Sequence, residues 1–293
     1  MPYLANLLLH LTDAAARLPE SIRARHAEYV LAAQNDDGGF AGRRGPSDPY
    51  YTAFALRTLT IAGQLDADCA ARAATFLRQR LEKPDTLVDF LASVEAAMLV
   101  GMAAGVDLFA QWGRDVRQSV AEFVDPLRRP DGGYAKTQRG GQGSTYATFL
   151  VAACRDSIGL PLEEPDRLRE FAHSRRRDDG GFVEIGPMRR SGTNPTAAAV
   201  GLLKMLDALD SSIRDGAARF LATMQGPEGG FLANRRIPLA DLLSTFTALV
   251  GLRDRNCSVS QLALKLGFSS RSHFSRIFRQ HTGLTPTAYR RLF

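Results

Sequence analysis

The stretch Asp178-Asp179-Gly180-Gly181-Phe182 decides the fold, because close copies of it recur along the chain. In every copy two glycines follow an acidic residue and precede an aromatic one, at Asp36-Asp37-Gly38-Gly39-Phe40, Asp131-Gly132-Gly133-Tyr134 and Glu228-Gly229-Gly230-Phe231. The four aromatic residues are 94, 48 and 49 positions apart. Since 94 is twice 47, we expect a degenerate copy between the first two, where Lys83-Pro84-Asp85-Thr86 occurs. Self-similarity at one period is typical of repeat architectures, so the sequence predicts five repeats.

Each repeat combines two kinds of helical segment. An amphipathic segment precedes each turn, at 20–34, 66–81, 112–128, 164–177 and 211–225. A more apolar segment, of the kind that is buried nearly all round, follows at 50–60, 88–100, 144–157, 196–206 and 241–252. The paired glycines let the first helix stop at positive φ, and Asp48-Pro49 and Asn194-Pro195 each offer an N-cap followed by proline at the first helical position. The pattern predicts an all-α fold of five helical hairpins in two layers, either closed as an α/α toroid or open as a superhelix.

The motif Gln34-x-x-Asp37-Gly38-Gly39-Phe40 and its copies resemble the repeats of the prenyltransferase β-subunit and squalene cyclase superfamily, over roughly residues 15–252. The resemblance implies an α/α toroid. Toroids of that superfamily commonly have six hairpins, whereas five are counted here. The ring could therefore be incomplete, closed by an N-terminal helix at residues 2–18, or completed by a partner.

The catalytic residues of that superfamily are missing at the matching places. Its protein prenyltransferases hold zinc through an Asp-x-Cys pair and a histidine at the starts of two buried helices, and this three-ligand site lets the metal activate a thiolate. Here the first place reads Ser191-Gly192-Thr193-Asn194-Pro195-Thr196, and Ser244 stands where the histidine is expected. The Asp-x-Asp-Asp acid of the cyclases does not occur in the sequence. We therefore assign no catalytic residue, metal or cofactor.

Polar residues at the starts of the more buried helices could still line a central cavity. By the resemblance, that cavity would take an apolar, isoprenoid-like ligand. The candidates are Arg43, Arg44, Asp48, Tyr50, Tyr51, Asp89, Tyr146, Asn194 and Asp241. Helix capping or a structural hydrogen bond is the competing interpretation of each.

The positive charge of the chain is concentrated at its end. Of the 37 basic and 31 acidic residues, residues 253–293 hold eight and one, so this segment carries +7 and the first 252 residues carry −1. A local cationic cluster is what binding to a polyanion requires. The alternative is a solvated tail that serves solubility.

The cationic segment also has the pattern of two short helices. Ser258-Val259-Ser260-Gln261 is a capping box ahead of apolar residues, and Gly267 ends this first helix. Ser269 or Ser270 caps a second helix, in which Phe274, Ile277 and Phe278 form the buried stripe, while Phe268 packs inward. The pattern predicts a helix-turn-helix. Side chains on the opposite face of the second helix would meet base edges in a major groove.

The string from Gly267 to Arg279, continued by Gly283-Leu284-Thr285-Pro286, closely resembles the second helix-turn-helix of AraC/XylS-type transcriptional regulators. The resemblance implies base readers at Arg271, Ser272, His273 and Arg276, and phosphate contacts at Arg279, Arg290 and Arg291. AraC-type modules carry two such units bridged by a long helix, and only the second is found here. The protein therefore either dimerises to engage two half-sites or binds DNA weakly, and the helix at 241–252 could stand in for the bridge.

Together these features predict a cytoplasmic transcriptional regulator. Its toroid, residues 1–252, senses a hydrophobic ligand or partner, and its helix-turn-helix, residues 253–293, binds double-stranded DNA. A prenyltransferase-like or terpenoid-processing enzyme is the alternative, and a protein-docking scaffold is a third. No window reaches about 18 consecutive apolar residues and residues 4–11 lack a basic leader, so we expect neither membrane insertion nor export. We expect Cys69, Cys154 and Cys257 to be reduced packing residues.

Overall fold

The computed structural model describes residues 1–43, 45–82, 84, 86–253, 270–282 and 285–286. The chain divides into two compact units. Unit 1 comprises Met1–Arg128, Tyr134–Gly141 and Leu150–Glu163, and unit 2 comprises Arg129–Gly133, Gln142–Phe149 and Glu164–Phe293.

The helices follow the predicted alternation. Unit 1 contains α1 (Tyr3–Ala16), α2 (Glu20–Leu31), α3 (Pro49–Ala62), α4 (Ala67–Glu82), α5 (Leu87–Ala104), α6 (Leu108–Trp112), α7 (Val116–Val124) and a 3-10 turn at Asp125–Leu127. Helix α8 (Thr145–Ser157) begins in unit 2 and ends in unit 1. Unit 2 also contains α9 (Pro165–Ser174), α10 (Thr193–Met205), α11 (Ser211–Ala222), α12 (Leu242–Arg253) and α13 (Arg271–Thr282). The five predicted pairs of helices, and with them the all-α class, are confirmed.

In the four copies of the motif, the glycine pair shapes the turn that follows the amphipathic helix of the repeat. In the copy at Gly180-Gly181, the Gly180 N–H donates to the Arg177 carbonyl and the Arg177 N–H donates to the Gly181 carbonyl, each at 2.9 Å. The first glycine of all four copies has φ between 84° and 93°, so positive φ is confirmed there. The second glycine has another role, because a Cβ on Gly181 would lie 2.7 Å from the Phe220 ring.

A threonine of the following helix completes the turns at Phe40, Phe182 and Phe231. The Phe182 N–H donates to the hydroxyl oxygen of Thr196 at 2.9 Å, and this hydroxyl donates onward to the Gly192 carbonyl at 2.7 Å. Phe40 with Thr52 and Phe231 with Thr245 repeat the first bond at 2.9 Å. A buried N–H needs such a partner, so in these three repeats the turn and the more buried helix form one structural unit.

The helix starts agree with the sequence in one case and differ in another. Asp48 caps α3, since its carboxylate accepts from the N–H groups of Tyr50 and Tyr51. Asn194 does not cap α10, and that prediction is wrong. The helix already begins at Thr193 after Gly192, since the Thr196 N–H donates to the Gly192 carbonyl at 3.1 Å. The Thr193 N–H, which has no partner within the helix, donates to the carbonyl of Ala233, 40 positions along the chain, at 3.0 Å.

Helix α5 is the most apolar helix of unit 1. By length and composition its 18 residues, with a mean hydropathy of 1.7, could cross a membrane. It packs against α3 and α4, ten of its residues are buried, and its Glu95 pairs with Arg57 at 2.5 Å. These are properties of a core helix, and we interpret α5 as one.

Unit 2 has a core that includes Phe220, Leu221 and Met224 together with Phe231 and Ala248. Helix α12 contributes only one face to it. Along the other face the fractions of side-chain surface exposed are 90% at Leu242, 37% at Phe246 and 54% at Leu249. The prediction that α12 is buried nearly all round is therefore wrong, and the exposed side chains follow helical spacing.

Two short strands close the last turn of unit 2. β1 (Phe231–Leu232) and β2 (Ala240–Asp241) pair antiparallel, with Phe231 opposite Asp241. The loop between them lies just before α12.

Candidate functional site

Helix α13 is the described part of the predicted helix-turn-helix. The Ser270 hydroxyl accepts from the His273 N–H at 3.1 Å, and the Ser270 carbonyl accepts from the Phe274 N–H at 3.1 Å. A serine oxygen that satisfies the third N–H of a helix is an N-cap. The alternative in which Ser270 rather than Ser269 caps this helix is therefore confirmed.

The two faces of α13 differ in chemistry. Phe274 is buried and lies 5.5 Å from the Phe278 ring, centroid to centroid, and Ile277 and Phe278 are half-buried. Ser272, Arg276 and Arg279 are exposed, and His273 is half-buried. The predicted stripe and polar face therefore exist on this helix. The polar face offers two guanidinium groups and a hydroxyl, which can donate to base edges and phosphates.

The other predicted elements of the helix-turn-helix lie outside the described residues. These are the capping box at 258–261, the apolar residues up to Phe268, Arg290 and Arg291, and also Cys257. Arg271 begins α13, and only its backbone is described. The DNA-contacting roles of Arg271, Ser272, His273, Arg276, Arg279, Arg290 and Arg291 stay predictions.

Two of the candidate cavity residues, Asn194 and Asp241, are joined by one hydrogen-bond network in unit 2. The buried Ser244 hydroxyl donates to the Asp241 carboxylate at 2.7 Å and accepts from the Asn194 amide at 3.4 Å. The Thr247 hydroxyl donates to the Asn194 amide oxygen at 2.8 Å. The sequence reasoning did not select Ser244 and Thr247 as candidates. Ser244 lies three positions after Asp241, and Thr247 lies three positions after Ser244 on α12; this i, i+3 spacing is the signal that could have found them.

The donor set of this network does not suit zinc. A zinc site of the superfamily needs thiolate, imidazole or carboxylate ligands, whereas Asn194 and Ser244, at the places matched to that site, offer an amide and a hydroxyl. The Asp241 carboxylate is engaged by the N–H and hydroxyl of Ser244, both at 2.7 Å. Across the described ranges, no group of three or more His, Cys, Asp or Glu side chains could hold a metal ion. The network therefore cannot supply the zinc-activated thiolate chemistry.

The remaining cavity candidates make local contacts. Asp48 and Asp241 cap α3 and α12, so the competing interpretation of these two is confirmed. Tyr50 stacks edge-on against Tyr51 and Phe54, at centroid distances of 5.7 and 4.8 Å.

The other members of the set are spread over both units. Arg43 is exposed, and Arg44 lies outside the described residues. Thr86 caps α5, since its hydroxyl accepts from the Asp89 N–H at 3.2 Å, and this hydroxyl donates to the Asp89 carboxylate at 2.7 Å. The Tyr146 N–H donates to the Glu184 carboxylate at 3.3 Å. Whether any of them lines a cavity stays a prediction.

The two described cysteines are buried free thiols. Burial raises the pKa of the Cys154 thiol to about 12 and that of Cys69 to about 11. A thiol with so high a pKa is protonated at neutral pH and is a poor nucleophile and metal ligand. The prediction that Cys69 and Cys154 are packing residues is confirmed.

Comparisons with known proteins agree with this architecture. The family model for the prenyltransferase alpha-alpha toroid domain matches residues 6–233 and 156–256. The model for AraC-family bacterial regulatory helix-turn-helix proteins matches residues 252–291. A search of curated proteins finds no match.

Solved structures with the same fold include a protein prenyltransferase and a terpene cyclase. Candida albicans protein geranylgeranyltransferase-I complexed with GGPP matches with a TM-score of 0.61 and 14% identity, over 94% of this chain and 91% of that chain. The type II terpene cyclase MstE from Scytonema, in its apo form, matches with a TM-score of 0.56 and 18% identity, over 89% and 76%. A variant of MstE in complex with geranylgeranyl dihydroxybenzoate matches with a TM-score of 0.57 and 16% identity, over 94% of this chain and 79% of that chain.

At these identities the likeness to solved structures shows the fold, and the family is shown by the match to its model over most of the chain. The chain belongs to the prenyltransferase alpha-alpha toroid domain family, and a match to the AraC helix-turn-helix follows its toroid.

Proposed function

We propose that this protein is a cytoplasmic transcriptional regulator that binds double-stranded DNA in a sequence-specific way. Residues 1–252 would form the toroid and residues 253–293 the DNA-reading domain. The observation that carries the proposal is the AraC-family match at residues 252–291. It coincides with α13, whose exposed face carries Ser272, Arg276 and Arg279 while Phe274 is buried.

The chemistry of α13 suits recognition in the major groove. An arginine can donate two parallel hydrogen bonds to O6 and N7 of guanine, and Arg276 lies in the middle of the helix, five positions after its first residue. Arg279, one turn further on, suits a phosphate contact, which fixes the register of the helix without reading sequence. A single helix of this kind reads one half-site, and a homodimer would engage two.

The toroid would sense a hydrophobic, isoprenoid-like ligand. The support comes from two relatives by fold, one complexed with GGPP and one with geranylgeranyl dihydroxybenzoate. In unit 2, the half-buried Asn194 amide and Thr247 hydroxyl would bind the polar end of such a ligand without transforming it. Binding to one conformation only would then shift the population that is competent for DNA.

A selection from randomised duplexes at physiological salt tests the proposal. The intact chain should enrich a defined sequence, and Arg276→Ala should relax the base preference at one position, at a cost of about 1–3 kcal/mol. Arg219→Ala is the matched control, because Arg219 is an exposed arginine on a helix of the same unit and its loss should leave the enriched sequence unchanged. If the intact chain enriches no sequence, the regulator proposal fails.

The enzyme alternative makes a different prediction. A prenyltransferase-like enzyme would turn over labelled isoprenoid diphosphates when zinc is added, whereas the amide and hydroxyl donors at Asn194 and Ser244 argue against zinc uptake. Turnover with stoichiometric zinc would replace the regulator proposal for the toroid.

A further inference from the structure

Two neighbouring loops of unit 2 present paired arginines. The loop at 183–192 carries Arg189-Arg190, and the loop at 232–241 carries Arg235-Arg236. All four arginines are exposed, and we call them the arginine edge. Among the described residues none of the four forms an ion pair. Arg235 donates to the neutral Thr223 hydroxyl at 3.2 Å.

The loops that carry the arginine edge are held in place. The Thr193 N–H donates to the Ala233 carbonyl at 3.0 Å, and the Thr193 hydroxyl donates to the Leu232 carbonyl at 2.5 Å. Arg177 holds the first loop by donating to the Gly186 carbonyl at 2.7 Å and to the Met188 carbonyl at 3.0 Å. The four guanidinium groups therefore project from a supported edge.

The acidic residues of the same loops are already engaged. Each loop contains one, Glu184 or Asp241. The Glu184 carboxylate accepts from the Ser144 hydroxyl at 2.6 Å and from the Tyr146 N–H at 3.3 Å, and Asp241 accepts from Ser244. Because these carboxylates accept internal hydrogen bonds and, among the described residues, do not pair with the four arginines, the guanidinium groups remain available to an external anion.

We infer that the arginine edge binds the phosphate backbone of the duplex that α13 reads, an inference that rests on the proposed function. The second loop ends where α12 begins, and a helix of 12 residues is about 18 Å long. The helix-turn-helix match starts at the other end of α12. The length of α12 is shorter than one turn of DNA, about 34 Å, so the matched segment begins within one DNA turn of the end of the loop at 232–241.

The arginine edge would supply the additional affinity for DNA that a single helix-turn-helix lacks. Phosphate contacts add affinity without sequence information, so the toroid would strengthen binding while α13 selects the site. Met188 and Ile237 are exposed on the same loops, and an acidic protein segment would use them as well as the arginines. The duplex is favoured because a continuous array of phosphates can pair with four exposed arginines, none of which forms an ion pair within the described part of the chain, next to a segment that matches a DNA-binding family.

The salt dependence of DNA binding by the full chain tests the inference. The two variants are the double substitutions Arg189→Gln with Arg190→Gln and Arg235→Gln with Arg236→Gln. Each lost phosphate contact should make the slope of log K against log salt less steep by about 0.9, hence by about 1.8 for each double variant. The affinity lost between 50 and 200 mM salt should then be about 12-fold smaller than for the intact chain. The enriched base sequence should not change.

The double variant Arg25→Gln with Arg219→Gln is the control for net charge, since it removes two exposed arginines that belong to neither loop. Its slope should equal that of the intact chain. If both edge variants also keep that slope, the arginines serve another partner, such as an acidic protein segment, and the inference is overturned while base selection by Arg276 still stands. If Arg276→Ala changes nothing but the edge variants flatten the slope, the arginine edge is a phosphate site and the proposed base reader is wrong.

Discussion

Replacing Gly180 by alanine should destabilise the protein far more than the same replacement at Gly229. Both are the first glycine of the repeated turn, with φ of 84° and 93°. A side chain in a left-handed conformation costs about 1–2 kcal/mol, so both variants should lose that much. The two sites differ in space, because a Cβ on Gly180 would lie 2.6 Å from the Gly216 carbonyl oxygen and one on Gly229 would meet nothing within 4 Å.

The crowding at Gly180 adds a second cost. The Gly216 oxygen belongs to the backbone of α11, so it cannot move aside as a flexible side chain would. Overpacking of this kind costs about 1–3 kcal/mol, which gives about 2–5 kcal/mol in total for Gly180→Ala. Alanine also reduces the conformational entropy of the unfolded chain, but this gain is the same at both sites and cancels in the comparison.

Urea unfolding, followed by circular dichroism at 25 °C, measures the difference. With equal slopes, the change in midpoint gives the change in the free energy of unfolding. We expect Gly180→Ala to lose about 1–3 kcal/mol more than Gly229→Ala. Equal losses in the two variants would refute the crowding, and no loss in either would refute the role of positive φ.

Three further predictions concern buried groups. Thr196→Val should lower the free energy of unfolding by about 1–3 kcal/mol, because the Phe182 N–H loses its partner, whereas Thr196→Ser should restore most of it in the same urea assay. Since the pKa of the Cys154 thiol in the folded state, about 12, lies above its ordinary value of 9.0, its stabilising effect is complete below pH 9 and is lost as pH rises towards 12. We expect the free energy of unfolding to fall by about 1.4 kcal/mol between pH 7 and pH 10 through this thiol. A Cys154→Ala variant should lack this part of the pH dependence, and an unaltered dependence in that variant would contradict the raised pKa of Cys154. Asp131→Ala should lower the free energy of unfolding by about 3–5 kcal/mol, because it leaves the buried guanidinium of Arg175 without the carboxylate that it contacts at 2.5 Å. A loss below 1 kcal/mol in urea unfolding would show that the ion pair is dispensable.

The repeated turn could be predicted because its determinants are local. Acidic residues, two glycines and an aromatic residue lie within five positions, and the helices on either side show their own periodicity. The start of α10 could not be predicted in the same way. The Thr193 N–H at its start is satisfied by the Ala233 carbonyl, in the next repeat, and Asn194 bonds with α12 instead of capping its own helix.

The candidate site also combines features that local sequence determines with features that depend on contacts between repeats. Asn194 and Asp241 could be selected singly as polar residues at helix starts, but the buried hydroxyl of Ser244 that joins them depends on how α10 packs against α12. The exposed face of α12 was missed for a related reason. Its sequence is apolar on all sides, so composition cannot show which side lacks a neighbour, and Leu242 is 90% exposed. On α13, by contrast, polar and apolar residues are separated by helical spacing, and the burial of Phe274 agrees with the prediction.

The threonine that completes the turn bears on how such a chain can grow during evolution. Phe182 with Thr196 and Phe231 with Thr245 are each 14 positions apart, so each of these two repeats carries both the donor and the acceptor. Duplication of one whole repeat leaves no backbone amide stranded, whereas a partial insertion would separate donor from acceptor. We therefore expect such repeats to be duplicated as complete units, which agrees with the spacings of 48 and 49 residues between the last three aromatic residues.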